Sequence, residues 1–87
     1  MTHIHRVGPV GDIVRHNIRA LREAHGLSLR AFVAALDAAG HPFAKNALLR
    51  SEQGSRRIDV DDLVAIAAAL DVTPARLLEP PPHEAAS

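Results

Sequence analysis

The chain has 87 residues, no cysteine, two phenylalanines, no tryptophan or tyrosine, and a formal net charge of zero. This length predicts one small domain, while the composition excludes disulfides and thiolate metal sites and argues against single-strand binding by base stacking. No long apolar run follows a basic start or approaches the ~20 residues of a membrane span, so we expect no signal peptide, no membrane segment and a cytoplasmic location.

The N-terminal part predicts a flexible tail followed by a first helix. Residues 1–11 contain two glycines and a proline after a polar start, which is typical of a loose tail. Asp12 is a suitable N-cap for a helix that continues to about His25, with apolar residues at helical spacing. Gly26 then closes this helix in the left-handed conformation.

Two more helices are predicted in the middle of the chain. Ser28 starts the second helix, which ends near residues 39–40, because the run Gly-His-Pro at 40–42 breaks the chain. The third helix extends from about Lys45 to Gln53 and is closed by Gly54.

The C-terminal part predicts two helices and a second tail. Asp59 caps the fourth helix, and Asp62 completes a capping-box-like pattern with it. Thr73 precedes a proline and starts a short fifth helix that ends at Leu78. The proline run opening residues 80–87 stops the fold. We therefore expect an all-α domain of five short helices at residues 12–79.

The charges are distributed unevenly over these elements. Residues 13–57 contain eight basic and three acidic residues, whereas residues 58–87 contain one basic and six acidic residues. This asymmetry predicts a domain with one basic working face, so a net charge of zero does not exclude nucleic acid. The alternative is that the acidic residues collect at the starts of the later helices, where the helix dipole favours them.

The sequence offers no pattern of a catalytic or metal site. It contains no Ser-His-Asp set, no glycine-rich phosphate loop and no paired-carboxylate cleft, so we expect neither an enzyme nor a cofactor. Six histidines lack metal-ligand spacing and are expected to be solvated: His3, His5, His16, His25, His41 and His83.

Helices two and three, joined by a brief break, form a helix-turn-helix candidate. Two runs around them resemble the Cro and phage-repressor (Xre-like) helix-turn-helix family: IRALREAHGLSLRAFVAAL and LLRSEQGSRRIDVDDLVAIAAALDVTPARLL. The specific marks are Arg22, the run Gly-Leu-Ser at 26–28, the pair Glu52-x-Gly54 and the ending ALDVTPARLL, and the resemblance covers residues 12–78.

This resemblance implies a compact five-helix, lambda-repressor-like domain that binds double-stranded DNA as a transcriptional regulator, in the first instance a repressor. Two alternatives stay open on the same fold. One is an antitoxin that regulates its own operon and binds a toxin, and the other is a protein-interaction module. A homodimer on a two-fold operator is expected, with the fifth helix, Val72, Leu77 and Leu78 as the contact region.

The third helix supplies the expected base contacts. Its inward residues are Leu48, Ser51 and Glu52, and its outward residues suit a major groove. Arginine or lysine can recognise guanine, asparagine can recognise adenine, and leucine can contact a thymine methyl. The expected base contacts are Lys45, Asn46, Leu49 and Arg50; the alternative is an ordinary solvated polar face.

Phosphate contacts are expected around this helix, in the loop that follows it and on the two helices before it. The expected residues are Arg15, Arg19, Ser28, Arg30, Arg56 and Arg57. The resemblance also implies a structural ion pair between Arg22 and Glu52, against the alternative that Glu52 pairs with Arg56. Two departures from the family are Ala44, where a capping Ser or Thr is common, and Ser51, at a usually apolar position.

Overall fold

The computed structural model describes residues 7–81, which form five helices and no strand. Residues 1–6 and 82–87, which contain His3, His5, His83 and much of both expected tails, lie outside the described residues. The all-α prediction is confirmed. The helices are α1 (Pro9–Ala24), α2 (Leu29–Ala38), α3 (Lys45–Gln53), α4 (Val60–Ala69) and α5 (Pro74–Leu77).

Helix α1 begins at Pro9, upstream of the predicted cap at Asp12. Gly8 is the N-cap and Pro9 occupies the first turn, where its fixed φ and missing N–H are tolerated. Asp12 lies inside that turn, where the helix dipole favours its charge. The Val7 amide also donates to the Gly54 carbonyl (3.1 Å), which ties the residue before the N-cap to the end of α3.

The other helix ends follow the predicted capping residues. The Ser28 and Thr73 hydroxyls accept hydrogen bonds from amides in the first turns of α2 and α5. Asp59 and Asp62 form a reciprocal capping box at the start of α4. Gly26 has φ +69°, the left-handed conformation that ends α1 without a steric penalty.

The five helices share one apolar core, in which α3 packs between α1 and α2. Because α3 is held on one side only, its opposite side faces solvent. None of the helices formed by residues 7–81 is long and apolar enough to cross a membrane. The largest fully buried apolar side chains are Ile18, Phe32, Leu36, Leu48, Ile66, Leu70 and Leu77.

The burial of Leu77 corrects one expectation from the sequence. Its side chain is 0% exposed and belongs to the core, so it is not part of a surface that could contact a second copy. Val72 packs partly against the same core, whereas Leu78 remains 43% exposed. The other large apolar side chains exposed near it are Val10 and Val60, which line one shallow groove with Leu78.

Candidate nucleic-acid interface

Helix α3 has one buried and one exposed face. Three inward residues are buried: Leu48, Ser51 and Glu52. They are spaced three and four positions apart, as one face of a helix requires. The four residues expected to contact bases, Lys45, Asn46, Leu49 and Arg50, are all exposed on the other face. The structure therefore brings these four side chains together on one accessible surface.

The N-terminal end of α3 has no side-chain cap. Ala44 is the N-cap residue, with extended backbone angles and no capping hydrogen bond. The first amides of the helix are therefore left for water or another acceptor, and such a terminus attracts anions. A Ser or Thr cap is typically worth ~0.5–2 kcal/mol, so α3 forms here without that contribution.

An ion pair fixes the buried face of α3 to α1. Arg22 Nε donates to Glu52 Oε2 (2.7 Å), and Nη2 donates to Oε1 (3.0 Å). Arg22 Nη1 also donates to the Leu27 carbonyl (2.8 Å), which ties in the turn before α2. Glu52 thus pairs with Arg22 and not with Arg56. Ser51, the other polar residue on this face, donates its hydroxyl to the Ala47 carbonyl (2.9 Å), as its position predicts.

The residues expected to contact phosphate have different environments. Arg30 and Arg57 are exposed, and neither forms an ion pair within residues 7–81. Arg19 bonds Glu23 (3.2 Å) in an exposed pair of small energetic value. The Ser28 hydroxyl is engaged as the cap of α2.

Arg15 packs against the C-terminal end of α3. Its Nε donates to Asp12 (2.7 Å), and its Nη1 donates to the Glu52 carbonyl (3.3 Å). A positive charge is favoured there by the helix dipole. Gly54 follows, with φ +82°, and a Cβ at this position would lie 2.9 Å from Arg15 Cδ. Because glycine has no Cβ, Gly54 can adopt the left-handed conformation and lets the Arg15 side chain approach closely.

Arg56 has contacts within the domain that sequence reasoning missed. Its guanidinium lies 4.7 Å from the centre of the Phe43 ring. Nη1 is 3.1–3.3 Å from the Ser51 hydroxyl, the Arg57 carbonyl and Asp62 Oδ2. The guanidinium is thus engaged by the loop before α3, by α3 itself and by α4. Arg57, its neighbour, is the exposed arginine of this loop.

Asp62 is the buried acceptor of this cluster. It is 6% exposed and accepts hydrogen bonds from His41 Nε2 (2.9 Å), Arg56 and the Asp59 amide (3.2 Å). Burial raises the pKa of Asp62, but the hydrogen bonds from His41 and Asp59 and the charge of Arg56 outweigh burial and lower its pKa. The ionised Asp62 carboxylate therefore stabilises the fold at pH values above 3.8, the ordinary pKa of an aspartate. This contribution is lost as the pH falls through the lower pKa of Asp62 in the folded protein.

Helices α2 and α3 form a helix-turn-helix pair whose second helix exposes basic, amide and apolar side chains, the arrangement of a DNA-binding domain. A family model described as "Helix-turn-helix domain" matches residues 14–79. The chain belongs to this family, which confirms the resemblance to Xre-like regulators, and it is a DNA-binding regulator of the helix-turn-helix class.

A solved structure supports the fold independently. The chain is similar to the crystal structure of a hypothetical transcription factor NHTF from Neisseria, with 21% sequence identity and a TM-score of 0.73. The similarity covers 93% of this chain and 87% of that chain. No curated protein matches the sequence. At this level of identity the likeness shows a shared fold.

Proposed function

We propose that the protein is a sequence-specific transcriptional repressor that inserts α3 into the major groove of double-stranded DNA. The observation that carries this proposal is the exposed surface of α3, where Lys45, Asn46, Leu49 and Arg50 lie together. The opposite face is fixed to α1 by the Arg22–Glu52 pair, which anchors the C-terminal turn of the helix. Such a regulator acts where the DNA lies, in the cytoplasm of a bacterium.

Each residue of this surface has a distinct chemical role in the proposal. Arg50 offers two parallel N–H groups to the O6 and N7 atoms of guanine, and Lys45 offers one ammonium to the same edge. Asn46 is suited to adenine, whose N6 and N7 match its amide. Leu49, 36% exposed, is suited to a thymine methyl. Lys45 and Asn46 lie in the first turn, the part of a recognition helix nearest the bases.

Phosphate contacts come from residues that flank α3 in this proposal. Arg30 and Arg57 are exposed and suit the role best, and Arg19 can leave its weak pair with Glu23. The amides at the start of α2, after Ser28, provide a further anion site. Arg15 and Arg56 have contacts within the domain, so the proposal gives them a smaller part.

A homodimer on DNA completes the proposal, because one small module buries little surface on DNA and binds weakly. Two copies on half-sites ~34–36 Å apart would each insert α3 into a major groove on the same side of the duplex. The exposed groove side chains Val10, Val60 and Leu78 replace the buried Leu77 as the apolar contact. Sedimentation that shows only monomers, with and without the preferred duplex, would refute the dimer.

We expect Arg50→Ala to weaken binding to the preferred duplex by about 1–3 kcal/mol, or roughly 5- to 150-fold, for each bound copy. The preference at one base position of each half-site should relax at the same time, because a guanine contact is lost there. Competition titrations with the preferred duplex and its single-base variants measure both effects.

Arg76→Ala is the matched control, since Arg76 lies on α5 and carries the same charge. It should leave base preference unchanged. An equal loss of affinity of Arg50→Ala for preferred and scrambled duplexes would show that Arg50 contacts phosphate and not a base.

A further inference from the structure

Asp62 links the two segments that flank α3. The loop before α3 reaches it through His41, whose Nε2 lies 2.9 Å from Oδ1. The loop after α3 reaches it through Arg56, whose Nη1 lies 3.3 Å from Oδ2. Phe43 lies between the two, 7% exposed, with its ring 6.0 Å from that of His41 and 4.7 Å from the Arg56 guanidinium. Both ends of α3 therefore converge on one buried carboxylate of α4.

Helix α3 has less support of its own than α2 and α4. All three have nine or ten residues, and isolated helices shorter than ~12–15 residues are marginal in water. The N-cap side chains of α2 and α4 accept hydrogen bonds, whereas the N-cap of α3, Ala44, provides no side-chain hydrogen bond. The Arg22–Glu52 pair holds its last turns, because Glu52 is its second-last residue. The first turn, which carries Lys45 and Asn46, needs a separate anchor.

We infer that Asp62, with His41 and Arg56, is a positioning element that sets the orientation of α3 for base recognition, an inference that rests on the proposed function. Asp62 and its two partners touch no base in this account. They act through the loops at residues 41–44 and 54–58, whose positions fix the two ends of α3. We call this set the Asp62 brace.

The brace gives Arg56 a different role from its neighbour Arg57. The Arg56 guanidinium is only 31% exposed and already donates to acceptors on three segments. A phosphate contact that drew the guanidinium away from its present position would leave the buried Asp62 without a charged partner. Arg57 is exposed and can contact phosphate without such a loss.

The decisive variant is Asp62→Asn, because a charge effect alone leaves the ratio of affinities for preferred and scrambled duplexes unchanged, whereas loss of positioning lowers it. Removal of a negative charge should by itself strengthen binding to any duplex. Loss of the brace should instead lower the ratio of affinities for preferred and scrambled duplexes by about tenfold, the discrimination of roughly one base pair. The probes are the duplex that the wild-type protein enriches from random sequences and a scrambled duplex of equal composition. If a smaller fraction of the protein is folded, binding to both duplexes weakens by the same factor. The ratio of the two affinities therefore reports the positioning of α3.

Arg56→Gln and Arg57→Gln form a matched pair of neighbours with the same charge change. Arg56→Gln should lower the affinity ratio while the salt dependence stays unchanged. Arg57→Gln should keep the ratio and reduce the slope of log affinity against log salt by about one per bound copy, or about two for the dimer, as loss of a phosphate contact in each copy does. The reverse assignment of these two phenotypes would overturn the brace. His41→Gln provides a milder variant if Asp62→Asn fails to fold.

Amide hydrogen exchange in the DNA-free protein tests the brace without any DNA. Asp62→Asn should speed exchange in α3 more than in α1, α2 and α5, because only α3 is anchored through both flanking loops. Uniform exchange changes, or an unchanged affinity ratio, would overturn the inference. If the wild-type protein itself prefers no sequence, the proposed function fails, and the exchange pattern alone decides whether the brace exists.

Discussion

Arg22→Ala is expected to lower the free energy of unfolding by about 3–5 kcal/mol, the typical cost of removing one partner from a buried ion pair. Arg22 and Glu52 side chains are 12% and 4% exposed, so the Glu52 carboxylate would remain inside without a counterion. The hydrogen bond that Arg22 donates to the Glu52 carboxylate raises the pKa of Arg22 despite burial, which keeps the pair charged. Domains of this size have roughly 5–15 kcal/mol of stability in total, so the variant should be partly unfolded or melt far below the wild type.

Thermal melts followed by circular dichroism measure this effect. Arg19→Ala is the control, because Arg19 lies one turn away on α1 in an exposed pair that is worth at most ~1 kcal/mol. Replacing the pair together, as Arg22→Met with Glu52→Leu, should recover much of the loss, because no charge is left buried. Wild-type stability of Arg22→Ala would contradict the structural role of the pair.

DNA binding is expected to weaken ~10³-fold or more between about 50 and 200 mM salt, if the bound protein neutralises six or more phosphates. The physical cause is that each phosphate contact releases condensed counterions, a gain that shrinks as salt rises. Two copies that each use Arg19, Arg30 and Arg57 supply contacts of this number. Titrations of labelled duplex at several salt concentrations give the slope directly.

Arg76→Ala is the control for the salt experiment. It removes a charge on α5, away from the residues proposed to contact DNA, and should leave the slope of log affinity against log salt unchanged. Binding that hardly changes with salt would contradict the phosphate contacts. It would favour the alternative of a protein-interaction module on the same fold.

Local signals explain why most helix boundaries could be predicted. The bounds of α3, Lys45–Gln53, follow from the proline before it and the glycine after it. The start of α1 was missed because Asp12 is the stronger cap signal, whereas the structure uses Gly8 followed by a proline at the first position. The Arg22–Glu52 pair joins residues 30 positions apart and was expected through the family resemblance alone.

Tertiary packing explains what sequence reasoning missed. Arg56 was expected to contact phosphate, and the local alternative in the sequence was a pair with Glu52. Its partners, Phe43 and Asp62, come from the loop before α3 and from α4, and only the packed fold brings them together. Leu77 ends a one-turn helix and Leu78 is its C-cap, and only packing decides that the first is buried and the second exposed.

Selection of bound sequences from random DNA duplexes tests whether α3 recognises bases. We expect enrichment of a palindromic motif, because two copies related by a two-fold axis each insert α3 into a major groove. Repeating the selection with Arg50→Ala should relax one position in each half-site. Failure of the wild-type protein to enrich any sequence would contradict base recognition by Lys45, Asn46, Leu49 and Arg50.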